Sequence, residues 1–144
     1  MKLDRIDHGI IDILQQNGRA PNNEIALAVG VSEGTVRNRI VRLISEQLLR
    51  IKGLINPSHI TEKQYIFLGI RIAVNKDSIE TAQAIVELPN VKSVCIVTGR
   101  FDLLVELFTE PHNLIHFLSR DLASTGTVVS VESFVTLKSF NKWM

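Results

Sequence analysis

The stretch SEGTVRNRIVRLISE, residues 32–46, decides how the first third of the chain folds. Its first residue, Ser32, is of a type that caps helix N-termini, and the stretch predicts a helix from about residue 33 to residue 46. At about 100° per residue, apolar side chains gather on one side of this helix. They form the predicted buried stripe, which comprises Val36, Ile40, Leu43 and Ile44.

The opposite side of the same helix is polar and carries side chains suited to DNA. Thr35 and Asn38 offer donors and acceptors for base edges, and Arg42 lies with them. Guanidinium groups on the two flanks are placed to reach phosphates. Gly34 lets the start of the helix approach a DNA backbone closely. With Ser32 at the cap, the predicted DNA contacts of this helix are Ser32, Gly34, Thr35, Arg37, Asn38, Arg39 and Arg42.

Two helices are predicted before this one. Apolar residues from Leu3 to Leu14 recur at spacings of three and four, which predicts an amphipathic helix. Asn22 or Asn23 is expected to cap a second, shorter helix, and both asparagines are included among the predicted DNA contacts. Three helices in this order, with a turn at Gly30, are typical of a helix-turn-helix.

Beyond the third helix the pattern becomes extended. LLRIKGLI, residues 48–55, predicts a hairpin that turns at Gly53 and adds Arg50 and Lys52 to the DNA-contacting surface as a wing. Residues 34–52 hold five cationic side chains against Glu46 alone, so this segment carries +4 although the whole chain carries only +1. The basic patch predicts double-stranded DNA as a partner, with an ordinary solvated helix face as the alternative.

The second half of the chain has a mixed pattern and follows a polar linker at residues 56–64. It predicts strand, helix, strand, strand, helix and strand, which is the ferredoxin-like βαββαβ plan of an α+β fold. The strands are expected at 65–74, 91–98, 102–109 and 128–138, and the helices at about 78–88 and 111–123. The predicted domains are a winged helix-turn-helix over residues 1–55, the linker, and a ferredoxin-like domain over residues 65–144.

One face of the predicted sheet has no covering helix and is nevertheless apolar. We expect this face to pack against a second subunit, because an apolar patch of that size is unfavourable in water. A few tolerated exposed side chains are the alternative. The predicted face comprises Phe67, Cys95, Val97, Leu104, Phe108, Val128 and Phe134.

The loop TGRFD, residues 98–102, is a candidate binding site for a small molecule. Gly99 can take a positive φ and expose its amide. Arg100 can hold a carboxylate with two hydrogen bonds, and Asp102 can accept from an ammonium group or from backbone amides. Such a set suits an amino acid, but an ordinary hairpin whose aspartate satisfies its own turn remains open.

The sequence gives little support for catalysis, metal binding or disulfide formation. No nucleophile motif, P-loop or dinucleotide fingerprint is present, so neither an enzyme activity nor a cofactor is expected. His112 and His116 lie four residues apart on one predicted helix, and we expect them to be surface residues rather than a metal site. The single cysteine, Cys95, excludes a disulfide within the chain and fits a reducing compartment.

The composition, 45% hydrophobic and 22% charged, is that of a globular chain. The N-terminus lacks a signal-peptide pattern, and no apolar run approaches the ~18 residues of a membrane span. We therefore expect a soluble protein of the cytoplasm, associated with the nucleoid if it binds DNA, with no membrane partner.

The whole chain resembles the Lrp/AsnC family, the leucine-responsive or feast/famine regulators. The opening LDRIDHGIIDILQQNGR is similar to that family's "LD-x-x-D-x-x-I-L-x-x-L-Q-x-x-[GA]-R". The third helix resembles its "S-x-x-x-V-x-x-R-[IV]-x-x-L", and the second half resembles its "P-x-V…TG-x-x-D". The matching residues run from 2 to 138.

The resemblance implies a DNA-binding transcriptional regulator whose second domain is regulatory and oligomeric. Members pair their sheets into homodimers, and dimers associate into octamers or related assemblies. A small effector, commonly an amino acid, binds between regulatory domains near the TG-x-x-D loop. By alignment, the effector site of this chain would comprise Thr98, Gly99, Arg100 and Asp102, with Ala123, Ser133, Val135 and Thr136 from a neighbouring surface.

Two positions depart from the family pattern. Gln47 stands where a glycine usually follows the third helix, so the chain there either adopts an unfavourable left-handed backbone or ends the helix differently. Arg100 replaces a common acidic residue and reverses a charge in the expected pocket. An anionic effector such as an acidic amino acid or an oxo acid then becomes plausible, as does loss of effector binding.

Two alternatives to an effector-controlled regulator stay open. One is a DNA-binding architectural protein that responds to no effector. The other is an enzyme similar to the sirohaem decarboxylases, which share this two-domain plan. Those enzymes typically carry an Arg-Arg-Phe-Gly-like run after the helices, and LLRIKGLINP, residues 48–57, lacks it.

Overall fold

The computed structural model describes residues 2–143. The chain forms two compact units that divide between Leu54 and Ile55. The N-terminal unit is built from three helices: α1 (Arg5–Gln16), α2 (Asn22–Val29) and α3 (Glu33–Ser45). Their apolar sides meet in one core whose fully buried side chains are Ile10, Ile25, Val36 and Leu43.

Both long helices of this unit begin at a side-chain cap. Asp4 caps α1 by accepting from the backbone N–H of Asp7 at 2.9 Å, and the Asp7 side chain accepts in return from the N–H of Asp4 at 3.1 Å. This reciprocal pair is a capping box. Ser32 caps α3 by accepting from the N–H of Thr35 at 3.1 Å, as the sequence predicts.

The start of α2 differs from the prediction. The N-cap position is occupied by Pro21, which makes no side-chain cap, and Asn22 and Asn23 lie in the first turn of the helix itself. The prediction that an asparagine caps α2 is therefore wrong. Proline fits because its fixed φ, here −71°, prepares the chain for the helix without needing an N–H donor.

The predicted wing is not formed. Residues 46–56 contain no strand, so the hairpin expected at Gly53 is wrong, although Arg50 and Lys52 remain exposed. The chain reverses at Gln47, which adopts a left-handed φ of 57°. The first of the two outcomes expected for a non-glycine residue at this position is the one observed, at a backbone cost of about 1–2 kcal/mol.

The C-terminal unit is a four-stranded antiparallel sheet in the order β2-β3-β1-β4. Its strands are β1 (Gln64–Ile72), β2 (Val91–Ile96), β3 (Leu103–Thr109) and β4 (Val128–Val135), and α4 (Ser78–Val86) joins β1 to β2. A short 3₁₀ turn, Pro57–His59, precedes β1 within the predicted linker. This is the predicted ferredoxin-like arrangement, and the fold class is α+β.

The helical segment between β3 and β4 is less regular than expected. It begins as α5 (Asn113–His116), continues as a π-helix over Phe117–Leu122, and ends in a 3₁₀ turn over Ala123–Thr125. Pro111 lies before the helix rather than in its first turn. The last strand is also shorter than expected, since it ends at Val135 rather than at residue 138.

The sheet is covered by helices on one face only. The buried layer on the helix side contains Ile66, Leu68, Ile70, Ile85, Leu103, Val105, Leu107, Phe117 and Leu122. On the other face, here called the outer face, Phe67, Leu104 and Phe134 are 39%, 40% and 48% exposed. The strand register places Phe67 opposite both Glu106 and Phe134, and Leu104 opposite Cys95, which groups these side chains on that face.

Three residues predicted on the outer face do not lie exposed there. Val97 is half-buried and follows the end of β2. Val128 packs against the helix-side core, because the strand register shifts between Arg71 and Ile72 where β4 pairs with β1. Phe108 is only 5% exposed and packs its ring against that of Tyr65 at 4.9 Å. The Lys142 ammonium, from the segment after β4, also lies over this face and forms an ion pair with Glu106.

Candidate nucleic-acid interface and effector loop

The exposed face of α3 centres on Gly34, Arg37, Asn38 and Val41 rather than on the predicted trio. Arg37 keeps 64% of its side chain exposed, and Val41 is 62% exposed. Thr35 and Arg42 are only half exposed and lie toward one edge. The centre is rotated by about 80° from the predicted face. The difference arises mainly because the side of α3 that carries Arg39 and Arg42 packs toward α1, while Ile44, counted in the buried stripe, is 45% exposed.

Arg42 and Arg39 are both held by one carboxylate from α1. Asp7 Oδ1 accepts from Arg42 Nη2 at 2.6 Å and from Arg39 Nη1 at 3.1 Å. Arg39 Nη1 also donates to Asp4 Oδ2 at 2.5 Å. We name these four residues the Asp7 cluster. It fixes α3 against α1, and it occupies two of the arginines that the sequence assigned to DNA.

The Asp7 carboxylate is 1% exposed and stays ionised in this setting. Burial pushes its pKa up, but the N–H of Asp4 and the guanidinium groups of Arg39 and Arg42 outweigh burial and leave the pKa below its ordinary value. The pKa of Asp4 is also lowered, by the N–H of Asp7 and then by Arg39. Both carboxylates therefore remain charged through neutral pH.

Sequence reasoning passed over Asp7, although a signal was available. Asp7 lies one position from Ile6 and three from Ile10, so it falls within the apolar stripe of α1. A carboxylate on a core-facing stripe needs a charged partner, because an unpaired buried charge is costly. The same argument predicts that some arginine of a packed helix is withdrawn from solvent.

The remaining residues predicted to contact DNA are exposed or half exposed. Two of them, Arg37 and Ser32, also contact side chains of α3. Arg37, Asn38, Gly34, Asn23 and Lys52 are exposed, and Asn22 is half exposed. Arg37 Nη2 contacts Glu33 on its own helix at 3.3 Å, a pair open to water and easily exchanged. The hydroxyl groups of Ser32 and Thr35 lie 2.8 Å apart and hydrogen bond to each other.

The TGRFD loop joins β2 to β3 and is tied to β1 by Asp102. The carboxylate of Asp102 accepts from the N–H of Ile72 at 2.9 Å, and its own N–H donates to the carbonyl of Ile70 at 2.9 Å. Gly99 takes a φ of 118°, which side-chain-bearing residues rarely adopt. Asp102 thus has a structural partner within the chain.

The loop folds back over the outer face of the sheet. The ring of Phe101 lies so close to Gly69 that a Cβ on Gly69 would stand 2.5 Å from it. Phe101 also meets Phe134 edge-on at 6.2 Å between ring centroids. Arg100 stacks over Phe101 at 5.4 Å and forms an ion pair with Glu132 of β4. Glu132 is a residue that the sequence gave no reason to select.

The other predicted effector residues are spread along the unit. The loop contacts Ile70, whereas Thr136 pairs with Tyr65, five residues away and so about 17 Å along β1. Thr136 lines a separate cavity of about 360 Å³ with Tyr65 and Phe108. Ser133 and Val135 lie on β4, and Ala123 begins the 3₁₀ turn beyond the π-helix. One chain alone does not gather these residues around the loop.

The two histidines singled out by the sequence contact different carboxylates. His112 lies 3.1 Å from Glu110, and His116 lies 3.5 Å from Asp121. Among residues 2–143, no three His, Cys, Asp or Glu side chains come together as a set that could hold a metal ion. Within the same residues, none of the helices has the length and apolar character needed to cross a membrane.

Comparison with known proteins identifies both units. Residues 3–44 match the AsnC-type helix-turn-helix domain, and residues 65–142 match the Lrp/AsnC ligand binding domain. The chain is 31% identical to the HTH-type transcriptional regulator FL11 of Pyrococcus furiosus, over 94% of this chain and 87% of that protein. It is 32% identical to the HTH-type transcriptional regulator PH0140 of Pyrococcus horikoshii, over 99% and 90%.

Solved structures share the same fold. The leucine response regulatory protein of Mycobacterium tuberculosis superposes with a TM-score of 0.84 at 22% identity, over 97% of this chain and 96% of that one. Transcriptional regulator NMB0573 of Neisseria meningitidis, solved as a complex with L-Met, gives 0.75 at 28% identity, over 98% and 94%. The chain belongs to the Lrp/AsnC family of DNA-binding transcriptional regulators and carries that family's ligand-binding domain.

Proposed function

We propose that α3 enters the major groove of double-stranded DNA through Gly34, Arg37 and Asn38. The observation that carries this proposal is the exposed, capped helix face on which an amide and a guanidinium stand free of the core. Asn38 suits the edge of adenine and Arg37 suits guanine or a phosphate. Ser32, Asn22, Asn23 and Lys52 surround this face and are assigned to the backbone. Arg42 and Arg39 are assigned to positioning through the Asp7 cluster, and Thr35 to the edge of the contact.

A homodimer or a ring of dimers is proposed as the active assembly. The outer face of the sheet supports pairing, since Phe67, Leu104 and Phe134 are large apolar side chains that one chain leaves exposed there. Two recognition helices on one assembly would bind two half-sites, which converts weak single contacts into useful affinity. An octamer is the higher assembly that the family resemblance suggests.

A small effector, an amino acid or a related metabolite, is proposed to bind beside the TGRFD loop where two chains meet. Two observations support it: the ligand-binding domain matches the family, and the related regulator NMB0573 was solved with L-Met. The spread of Ala123, Ser133, Val135 and Thr136 along the unit fits a site completed by a neighbouring chain. Bound effector would change the relative stability of assemblies and hence the spacing of the DNA-binding units.

An effector-independent DNA-binding protein is the second candidate. It is favoured by the loop's internal pairing, since Arg100 is engaged by Glu132 and Asp102 by the N–H of Ile72. No observation in the site favours an enzyme.

Two measurements test these proposals. The DNA contact is tested by selecting a binding site from random DNA and titrating it against the wild type, Asn38→Ala and Arg37→Ala. Each loss should weaken specific binding by about 1–3 kcal/mol, and unchanged affinity in both variants would remove α3 from the interface. The effector is tested by light scattering after size-exclusion chromatography, with a panel of amino acids and oxo acids. A mass that changes with one compound identifies the effector, whereas a fixed mass favours the effector-independent protein.

A further inference from the structure

We propose that Asp7 limits the sequence-independent affinity of the DNA-binding unit. By holding Arg39 and Arg42, it limits how many DNA phosphates one recognition helix can neutralise. The inference rests on the proposed use of α3 as the DNA-contacting element. It adds a residue of α1, outside that contact, which sets how strongly the unit binds DNA of any sequence.

The geometry shows a carboxylate that is saturated by arginine. Asp7 Oδ1 accepts from two guanidinium groups at 2.6 and 3.1 Å, while its second oxygen accepts from the N–H of Asp4. Asp4 adds a second contact to Arg39. Two carboxylates thus face two guanidinium groups, and the Asp7 cluster carries no net charge. The five cations counted between residues 34 and 52 are reduced to three that are free to attract DNA.

The held arginines remain close enough to the surface to matter. Their side chains are 27% and 36% exposed, for Arg39 and Arg42 respectively. Within the part of the chain that is described, Arg42 Nε has no hydrogen-bond partner although it is buried. Asp7 is therefore the one carboxylate that restrains the Arg42 guanidinium among the contacts of residues 2–143. If Asp7 loses its charge, the Arg42 side chain becomes available to phosphates, while Arg39 keeps its contact to Asp4.

The number of phosphate contacts matters because it controls binding to any sequence. The logarithm of the affinity falls with the logarithm of the salt concentration, by about 0.9 for each phosphate that the protein neutralises. Each added contact strengthens binding at about 0.1 M salt by nearly tenfold, on specific and random DNA alike. A released Arg42 would raise the affinity for random DNA without adding any base contact. Because the gain is the same on every sequence, Asp7 acts on the sequence-independent part of binding.

The test compares Asp7→Asn with Asp12→Asn in the full-length protein. Asp12 lies on the same helix, is exposed, and contacts no arginine in the described structure, so its replacement removes the same charge without releasing a guanidinium. Fluorescence anisotropy is measured with a labelled duplex of random sequence from about 50 to 200 mM salt. We expect Asp7→Asn to bind this duplex at least tenfold more tightly at the lowest salt, with a slope steeper by about 0.9. Asp12→Asn should keep the wild-type slope.

Circular dichroism at 222 nm shows whether each variant is folded. A folded Asp7→Asn with an unchanged or shallower slope would overturn the proposal and leave Asp7 a purely structural residue. If Asp7→Asn does not fold, Arg42→Gln decides, because a guanidinium held by Asp7 neutralises no phosphate in the wild type. Its slope should equal that of the wild type, and a slope shallower by about 0.9 would overturn the proposal. Failure of the α3 interface itself would appear separately, as unchanged binding in Asn38→Ala and Arg37→Ala.

Discussion

Each unit of the molecule contains an arginine paired with a carboxylate, and the two pairs differ in burial. In the N-terminal unit Asp7 is 1% exposed and holds two guanidinium groups. In the C-terminal unit the Arg100 and Glu132 side chains are 73% and 43% exposed and form a single pair. Water competes for the second pair and hardly reaches the first, so similar chemistry has different consequences.

The comparison separates structural charges from exchangeable ones. Breaking a buried pair leaves a charge without solvent or partner, so the Asp7 cluster is expected to be needed for folding. An exposed pair is worth little, so the partner of Arg100 can be replaced by a ligand carboxylate at small cost. The sequence shows exposed-looking arginines in both cases, on a predicted helix in the first unit and in a predicted loop in the second. Only burial tells which one is free to bind.

The largest expected effect is the loss of Asp7. Asp7→Ala should destabilise the N-terminal unit by about 2–4 kcal/mol, because Arg39 and Arg42 lose their partner and α1 loses half of its capping box. This destabilisation is smaller than that of a fully buried pair, because the side chains of both arginines are partly exposed. Urea unfolding followed at 222 nm measures it, with Asp12→Ala on the same helix as the control. Equal midpoints for both variants would mean that the buried pair is no more valuable than an exposed one.

Acid should reproduce part of that loss. The folded pKa of Asp7 lies below its ordinary value, so its stabilising contribution is complete at neutral pH and above the unfolded pKa of 3.8. As the pH falls from the unfolded pKa through the folded pKa, the unfolded form binds a proton while the folded Asp7 is still ionised, and the stabilising contribution is lost. Urea midpoints of the wild type should fall between about pH 5 and pH 2, more than those of Asp7→Asn. Parallel pH profiles would show that other carboxylates cause the acid loss.

Gly69 tests the loop in the second unit. Gly69→Ala should destabilise the protein by about 1–2 kcal/mol, because its Cβ would collide with the Phe101 ring. The Phe101 ring must then move away from the sheet, and the TGRFD loop is expected to move with it. Phe101→Ala removes the obstacle, so Gly69→Ala should cost much less in that background. A double-mutant cycle in urea measures the difference, and additive effects would show that the ring does not depend on Gly69.

The order of elements in both units could be predicted from the sequence, because apolar spacing and caps are local properties. Ser32 caps its helix as expected, and the four strands lie within a few residues of their predicted bounds. The absence of a hairpin at Gly53 could not be predicted, because the residue pattern of LLRIKGLI does not show whether another segment pairs with it. The π-helix after His116 has no sequence signal that we can identify.

The candidate site was harder to predict than the fold. An angular projection assigns a direction to Arg42, but Asp7 lies 35 residues away and determines what the guanidinium contacts. Glu132 likewise reaches Arg100 across β1, from a strand that follows 32 residues later. Long side chains take their contacts from tertiary structure, which residue spacing does not contain. The loop itself was identifiable, because Gly99 and Asp102 form a local residue pattern, although Asp102 makes its contacts with Ile70 and Ile72 of β1.

The smallest change in stability is expected from Glu132→Gln, and it sharpens the comparison most. The exposed pair should contribute no more than about 0.5 kcal/mol, so unfolding midpoints should stay within error of the wild type. The same substitution leaves Arg100 without a carboxylate partner and so raises its availability to an anionic effector. Calorimetry with glutamate and 2-oxoglutarate should show binding that is several-fold tighter than in the wild type, and Arg100→Gln should abolish it. Equal affinity in wild type and Glu132→Gln would show that Glu132 does not compete for Arg100. No binding in any variant would mean that the exposed cation serves the loop and not a ligand, as an effector-independent DNA-binding protein requires.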